Sequence, residues 1–280
     1  MSWQGHLGLR YWRDGERTLA HDRHHGPLRV LQRLYPEGPG ICQHVLVHPP
    51  GGMVGGDELV VDATLEAGCH ALITTPGAAR FYRSEGKLAS QHVRLSLAAG
   101  ARLEWLPLET IAFRGCQVES RLELALAPGA ETMGWDLLAL GLPAAGQPFD
   151  AGRYRQHLEW PGVWLERGLV DADDAALMDG PLGLAGRRVL ATLWFASGTP
   201  LAPARRDALL DAARNATTEA AAEAALPVSA GSTSPQPGLV VLRALADRVE
   251  PAMDLLQRVR AAWRLSAWGL PDVAPRVWRT

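Results

Sequence analysis

Three acidic residues lie in apolar or glycine-rich segments, where burying a charge costs free energy unless the charge has a partner. Asp57 follows the glycine pairs of HPPGGMVGGDEL, Asp136 interrupts the apolar run MGWDLLALG, and Glu166 interrupts VWLERGLV. A carboxylate in such a segment must be paired, hydrated or bound to a metal. We therefore predict that the three acids line an internal polar passage. The alternative is that arginines pair with them and that they only stabilise the fold.

A second group of candidate metal ligands lies on one predicted strand. Cys42, His44 and His48 occupy positions that differ by two and by four, so their side chains share one face of an extended segment. Thiolate and imidazole groups suit a late first-row divalent metal. The sequence has no Cys-x-x-Cys pair, which a tight structural site would favour. These three residues are the second metal candidate.

Motifs of enzymatic chemistry are missing from the sequence. It contains no G-x-S-x-G, no G-x-x-x-x-G-K-[ST] and no H-E-x-x-H. The glycine loop before Asp57 precedes a predicted strand, so no helix N-terminus is available there to bind a phosphate. Cys69 and His70 are adjacent, and neighbours in a strand point to opposite faces. None of these enzyme signals holds, so the residues alone assign no catalytic and no cofactor-binding residues.

A repeat of strand, tight turn and strand positions these residues. Its turns carry Gly68, Gly100, Gly129 and Gly162, a spacing of roughly thirty residues. One such unit cannot bury its apolar face alone, so the units must stack. The repeat predicts a mainly β fold, an irregular β-helix-like or solenoid-like stack of strands, with an irregular sandwich as the alternative.

The last third of the chain changes character. Its patterns predict a few α-helices, and the predicted elements are a strand at 187–196, helices at 203–214, 217–226 and 251–268, a loop at 227–238 and a strand at 239–245. No linker separates this part from the rest. We predict a single domain over 1–280, mostly β in 1–196, with an α+β portion, 197–280, packed on it.

Composition excludes several classes of partner. The formal net charge of −2 gives no basic footprint for nucleic acid. No run approaches the roughly 18 apolar residues that a membrane helix needs. The 3 cysteines are odd in number and widely spaced, which fits a reducing compartment. We predict a cytoplasmic protein that binds neither nucleic acid nor membrane.

Five blocks of the sequence follow one another along the chain: HPPGGMVGGDEL, LITTPGAARFYRS, LEWLPLETIAF, GWDLLALGLPAAGQPF and PRVWRT. Together they resemble the urease accessory protein UreD family, called UreH in some bacteria. The blocks cover nearly the whole length, which makes the match far more specific than a lone glycine motif. One departure is Arg114, which stands where the family often has aspartate before a glycine.

The resemblance implies a maturation factor rather than an enzyme. Proteins of this family bind a UreF-type scaffold and, through it, a UreG-type GTPase, and they contact the urease apoprotein during nickel delivery. The resemblance also implies an irregular β-helix-like fold with a polar internal channel, transient Ni²⁺ and no tightly bound cofactor. Two alternatives stay open: a metal-dependent hydrolase built on Asp57, His48 and Glu166, and a purely structural interaction module.

Overall fold

Alternating apolar side chains build two β-sheets that face each other. The computed structural model describes residues 2–223 and 228–279. Its strands are β1 (Gln4–Asp14), β2 (Arg17–His25), β3 (Arg29–Leu34), β4 (Ile41–Val47), β5 (Glu58–Leu65), β6 (His70–Thr74), β7 (Ala79–Phe81), β8 (Ala89–Leu97), β9 (Arg102–Leu106), β10 (Thr110–Ala112), β11 (Cys116–Leu126), β12 (Glu131–Leu142), β13 (Gln147–Pro148), β14 (Gly152–Trp160), β15 (Trp164–Asp171), β16 (Val189–Ser197), β17 (Ser229–Gln236) and β18 (Leu239–Ala246).

Both sheets have a parallel centre and antiparallel margins. Across the described residues, the first sheet has the order β15-β14-β11-β8-β5-β1-β2, and its strands β1, β5, β8, β11 and β14 are parallel. The second sheet has the order β17-β18-β16-β12-β9-β6-β4-β3, and its strands β4, β6, β9 and β12 are parallel. Off this path, β10 and β13 pair with β12, and β7 pairs with β10. Stacked parallel ladders of this kind confirm the predicted solenoid-like fold.

Three tight turns carry the chain from the first sheet to the second. Gly68, Gly100 and Gly129 have φ of 69°, 68° and 78°, in the left-handed region that favours glycine. A Cβ built on Gly100 would lie 3.9 Å from the Gly68 nitrogen, and one on Gly129 would lie 3.6 Å from the Gly100 nitrogen. The three turns therefore stack on one another, as the repeat predicts.

The fourth repeat glycine behaves differently from the prediction. Gly162 follows β14, which runs parallel to β11, but its turn leads into β15, the antiparallel neighbour of β14 in the same sheet. A Cβ on Gly162 would meet nothing within 4 Å. The stack of crossing turns therefore ends at Gly129, because a hairpin needs no crossing to the other sheet.

Two long helices cover the outer face of the second sheet. Within the described residues the helices are α1 (Ala175–Asp179), α2 (Pro203–Glu223) and α3 (Val249–Trp268). Along β12, Trp135 and Leu137 pack toward α2 and α3, whereas Leu138 and Leu140 pack toward the first sheet. The second sheet is thus buried on both faces. None of the helices in the described part of the chain is both long and apolar enough to cross a membrane.

Two predictions for the last third need correction. The predicted loop at 227–238 contains the strand β17, a serine-rich edge strand that pairs with β18 and shifts register between Thr233 and Gln236. Polar residues suit an exposed edge, so the apolar alternation that marks inner strands is missing there. The two helices predicted at 203–214 and 217–226 are one continuous helix, α2; residues 224–227 lie outside the described residues.

A buried ionic network fastens α3 to the second sheet. Glu104 on β9 is fully buried and accepts hydrogen bonds from Arg260 (2.8 Å) and Arg264 (2.8 Å) of α3. Burial opposes the charge of Glu104, but the hydrogen bond from His70 and the two guanidinium groups outweigh it and lower its pKa to about 2. Arg264 also pairs with Glu37. Because these buried charges are paired, removal of one partner would leave the other charge stranded in the core.

Candidate metal-transit cavity

A cavity of about 410 Å³ lies between the two sheets. Its mouth lies among the loops that follow β4 and β6, where Pro49, Gly51, Pro76 and Gly77 are exposed. Apolar side chains of both sheets form most of the wall. The polar side chains on the wall belong to His48, Thr75, Arg80, Gln91, Thr110, Ser120, Arg121 and Asp136. A few polar groups in a mostly apolar cavity is the usual composition of a site that admits a small ligand.

Asp136 is the carboxylate that lines this cavity. It lies on β12, turned toward the first sheet, and accepts a hydrogen bond from the Gln156 amide of β14. Protein surrounds Asp136, yet part of its surface is accessible because it borders the cavity. Burial raises its pKa, the hydrogen bond from Gln156 lowers it, and the charge of Glu166 raises it further. No described arginine pairs with Asp136, so the pairing alternative fails for this acid.

A tyrosine lies beside Asp136 on the same inner surface. Tyr154 lies two residues before Gln156 on β14, so the two side chains share one face of the strand. Tyr154 is fully buried. Burial raises its pKa well above the ordinary value, and the charge of Asp136 adds to the increase. Among the described residues its hydroxyl oxygen finds no hydrogen-bond partner of good geometry. Tyr154 does not itself line the cavity, but Ser120 and Thr110, which do, lie close enough to its hydroxyl to lower its pKa.

Glu166 follows the pairing alternative. It lies on β15 at the edge of the first sheet, and its Oε2 accepts from Nε (3.0 Å) and Nη2 (2.6 Å) of Arg243 on β18. Its Oε1 accepts from the Thr192 hydroxyl on β16 (3.2 Å). Glu166 does not border the cavity itself. It is close enough to Asp136, however, to raise the pKa of that residue.

Asp57 holds the glycine loop together. Its Oδ1 accepts from the Trp3 backbone nitrogen (2.8 Å) and its Oδ2 accepts from the Val54 backbone nitrogen (2.9 Å). The residue is buried and is not among those that line the cavity. Its charge still reaches the cavity mouth, where it opposes the lowering of the pKa of His48. Asp57 thus stabilises the loop at the cavity mouth without lining the cavity.

Of the second metal candidate, Cys42 and His44 lie on β4 and His48 directly follows this strand, and the three side chains have different surroundings. Cys42 and His44 are fully buried, and His44 Nδ1 bonds to the Tyr11 hydroxyl (2.7 Å). Burial raises the pKa of Cys42 and lowers that of His44 to about 4. His48 lines the cavity mouth, with a buried Nε2 that has no partner among the described residues.

The predicted ligands do not converge on one point. In residues 2–223 and 228–279, no group of three or more His, Cys, Asp or Glu side chains could hold a metal ion. Asp57, His48 and Glu166, the set for the hydrolase alternative, are separated: the first two lie near the mouth and the third lies at the edge of the sheet. The geometry offers single donors along a cavity rather than an assembled metal centre.

Sequence reasoning missed the partners of the acids. Gln156, Tyr154, Thr192 and Arg243 reach Asp136 and Glu166 from strands distant in the sequence. Gln156 offers one signal, because it occupies an inward position between the buried Tyr154 and Leu158 on β14. A polar residue in an inward row indicates a polar partner or a cavity.

Comparison with known proteins identifies the family. The UreD urease accessory protein family matches residues 4–279. The chain belongs to this family. The urease accessory protein UreD of Leptothrix cholodnii is 61% identical over 282 residues and that of Variovorax paradoxus is 58% identical over 280, each comparison covering 100% of both chains. That of Paracidovorax citrulli is 58% identical over 278 residues, 99% of both chains. The resemblance read from the sequence blocks is confirmed, and the chain has a urease maturation role.

Proposed function

We propose that this UreD-family protein passes Ni²⁺ to the urease apoprotein through the cavity between its sheets. A UreF-type scaffold and a UreG-type GTPase are its proposed partners in the cytoplasm, the GTPase supplying the nucleotide chemistry. The observation that carries the proposal is Asp136, a cavity-lining carboxylate with an amide partner and no described arginine. Because the chain belongs to a family of urease accessory proteins, we propose Ni²⁺ as the ion that this carboxylate binds.

The chemistry of the cavity favours transfer over storage. His48 offers one imidazole nitrogen at the mouth, and Asp136 offers carboxylate oxygens further in. Oxygen donors hold Ni²⁺ less firmly than sets of thiolate and imidazole do. The thiol and imidazole that could have formed such a set, Cys42 and His44, are buried and engaged with tyrosines. The residues that border the cavity can therefore bind nickel briefly and release it.

The apolar wall also has a role in the proposal. Leu59, Val61 and Val93 of the first sheet face Leu46 and Trp105 of the second across the cavity. In this mostly apolar space, a charge interacts strongly with each polar group it meets. A cation in the cavity is thus confined to the few donors on its wall. The cavity keeps the cargo from other ligands in the cell.

Co-purification and nickel loading test this function. Affinity-tagged protein should capture the UreF-type, UreG-type and urease subunits from a native lysate of a urease-producing cell. Coexpression of apo-urease with the partners should load nickel only when this chain is present, as measured by metal analysis of the isolated urease. A urease that loads nickel equally well without the chain would contradict the proposal, and capture of none of the three would contradict the proposed partnership.

A further inference from the structure

A row of polar side chains runs across the second sheet from the cavity to β18, the strand next to the edge strand β17. Asp136 of β12 lies opposite Thr192 of β16, and Thr192 lies opposite Arg243 of β18. Residues that are opposite each other on neighbouring strands share a face, so all three turn toward the first sheet. Adjacent strands are about 4.8 Å apart, which places Arg243 about 10 Å from Asp136 along the row.

Glu166 closes this row from the opposite sheet. One carboxylate oxygen of Glu166 accepts a hydrogen bond from the Thr192 hydroxyl, and the other accepts hydrogen bonds from the Arg243 guanidinium. The Glu166 side chain therefore bridges two members of the row. The side chain of Arg243 is 48% exposed and that of Glu166 is 22% exposed. The bridge therefore stands where the space between the sheets meets solvent, on the side of Asp136 away from β9.

We propose that Arg243 is a gate: its guanidinium occupies Glu166 and leaves when a divalent cation moves between Asp136 and Glu166. The proposal rests on the proposed function and adds a residue to it. A cation at this place would take carboxylate oxygens from Asp136 and Glu166, with the Thr192 hydroxyl and the Gln156 amide oxygen as neutral donors. Such oxygen-rich surroundings suit a divalent ion that is to be released again. Arg243 supplies the positive charge that Glu166 needs when no metal is there.

The solvent exposure of the Arg243–Glu166 pair decides how easily the two side chains can separate. Exposed arginine–carboxylate pairs contribute little to stability, because water replaces the partner readily. The pair of Glu104 with Arg260 and Arg264 is the opposite case: it is fully buried, and breaking it leaves a charge stranded in the core. The chain thus contains one arginine–glutamate contact suited to opening and another suited to holding α3 in place.

Nickel binding to an Arg243→Gln variant tests the gate. Isothermal titration of the full-length protein with Ni²⁺ alone, near neutral pH, should show affinity about two- to fivefold tighter than wild type, because an exposed pair no longer competes for Glu166. Arg243→Lys should stay close to wild type, since it keeps the charge. In an Arg243→Gln, Glu166→Gln double variant the gain should vanish.

A matched control comes from the outer face of the first sheet. Arg153 pairs with Asp171 at 2.7 Å, with side-chain exposures of 58% and 21%. Arg153→Gln removes a pair of the same kind far from the row and should leave Ni²⁺ affinity unchanged. Equal affinities in the Arg243→Gln and Arg153→Gln variants, or absence of Ni²⁺ binding in both, would overturn the gate. That result is distinct from failure of the proposed function, which shows as normal nickel loading of urease by an Asp136→Asn variant.

Discussion

At the scale of single residues, the same chemical group has three different uses in this fold. Glu104 is buried among arginines and stays ionised, Glu166 is paired at an exposed margin, and Asp136 faces a cavity with an amide partner. The local sequence marks Asp136 and Glu166 in the same way, as acids in apolar runs. The side chains that face them from other strands decide which acid stabilises the fold and which is available to a ligand.

His44 should make stability depend on pH. Its pKa is about 4 in the folded state against an ordinary value of 6.5. The unfolded chain therefore binds more protons below the ordinary value, and the stability that neutral His44 provides is lost as the pH falls through this range. Acidification from about pH 7 to about pH 5 should lower the unfolding free energy of both wild type and a His44→Gln variant. We expect the loss to be about 2 kcal/mol larger in wild type.

Urea denaturation at the two pH values measures this difference directly. A buried imidazole that bonds to Tyr11 through Nδ1 and has no described partner at Nε2 cannot be protonated without a new acceptor. An equal loss of stability in wild type and His44→Gln would show that other groups cause the acid sensitivity.

At the scale of elements, the two sheets and the helices are joined by side chains that cross between layers. Glu104 joins β9 to α3, and Trp135 of β12 packs on Trp278 of the C-terminal segment, with ring centroids 5.5 Å apart. Trp278 also donates to the Thr74 hydroxyl at 2.8 Å. The segment after α3 therefore rests against the same part of the second sheet that borders the cavity mouth.

Gly134 sets the spacing within the second sheet beside the cavity. A Cβ there would lie 2.5 Å from the Trp194 ring and 2.8 Å from the Trp105 carbonyl oxygen. We expect Gly134→Ala to lower the unfolding free energy by about 1–3 kcal/mol, because the added methyl group overpacks the core. Thermal or urea denaturation checks this.

The control for this substitution is Gly168→Ala on the edge strand β15. A Cβ at Gly168 would meet nothing within 4 Å, so the variant should be as stable as wild type or slightly more stable. Equal stabilities of the two alanine variants would contradict the close packing at Gly134.

At the scale of the whole molecule, the sequence predicts what is periodic and local. Alternation of apolar residues and the turn glycines at 68, 100 and 129 predict the stacked parallel strands, and the sequence blocks predict the family. Gly162 misleads because a hairpin turn and a crossing turn have the same local sequence. The polar strand β17 lacks the apolar alternation that marks inner strands.

The candidate site is harder to predict than the fold. Its three acids are visible in the sequence, but their roles depend on contacts between strands that are distant in the chain. Glu166 and Arg243 are 77 positions apart, and Asp136 and Gln156 are 20 apart. Only the facing of the two sheets brings these side chains together. The cavity likewise belongs to the assembled sheets and to no single segment.

The most direct test of nickel transfer through the cavity is the nickel content of urease matured with Asp136→Asn. The amide keeps the size of Asp136, so folding and partner capture should stay normal while nickel loading falls about tenfold or more, as with loss of a ligand group. Glu104→Gln is the comparison: it should lower the unfolding free energy by about 3–5 kcal/mol by stranding buried arginines. Full nickel loading by a well-folded Asp136→Asn protein would contradict passage along this carboxylate.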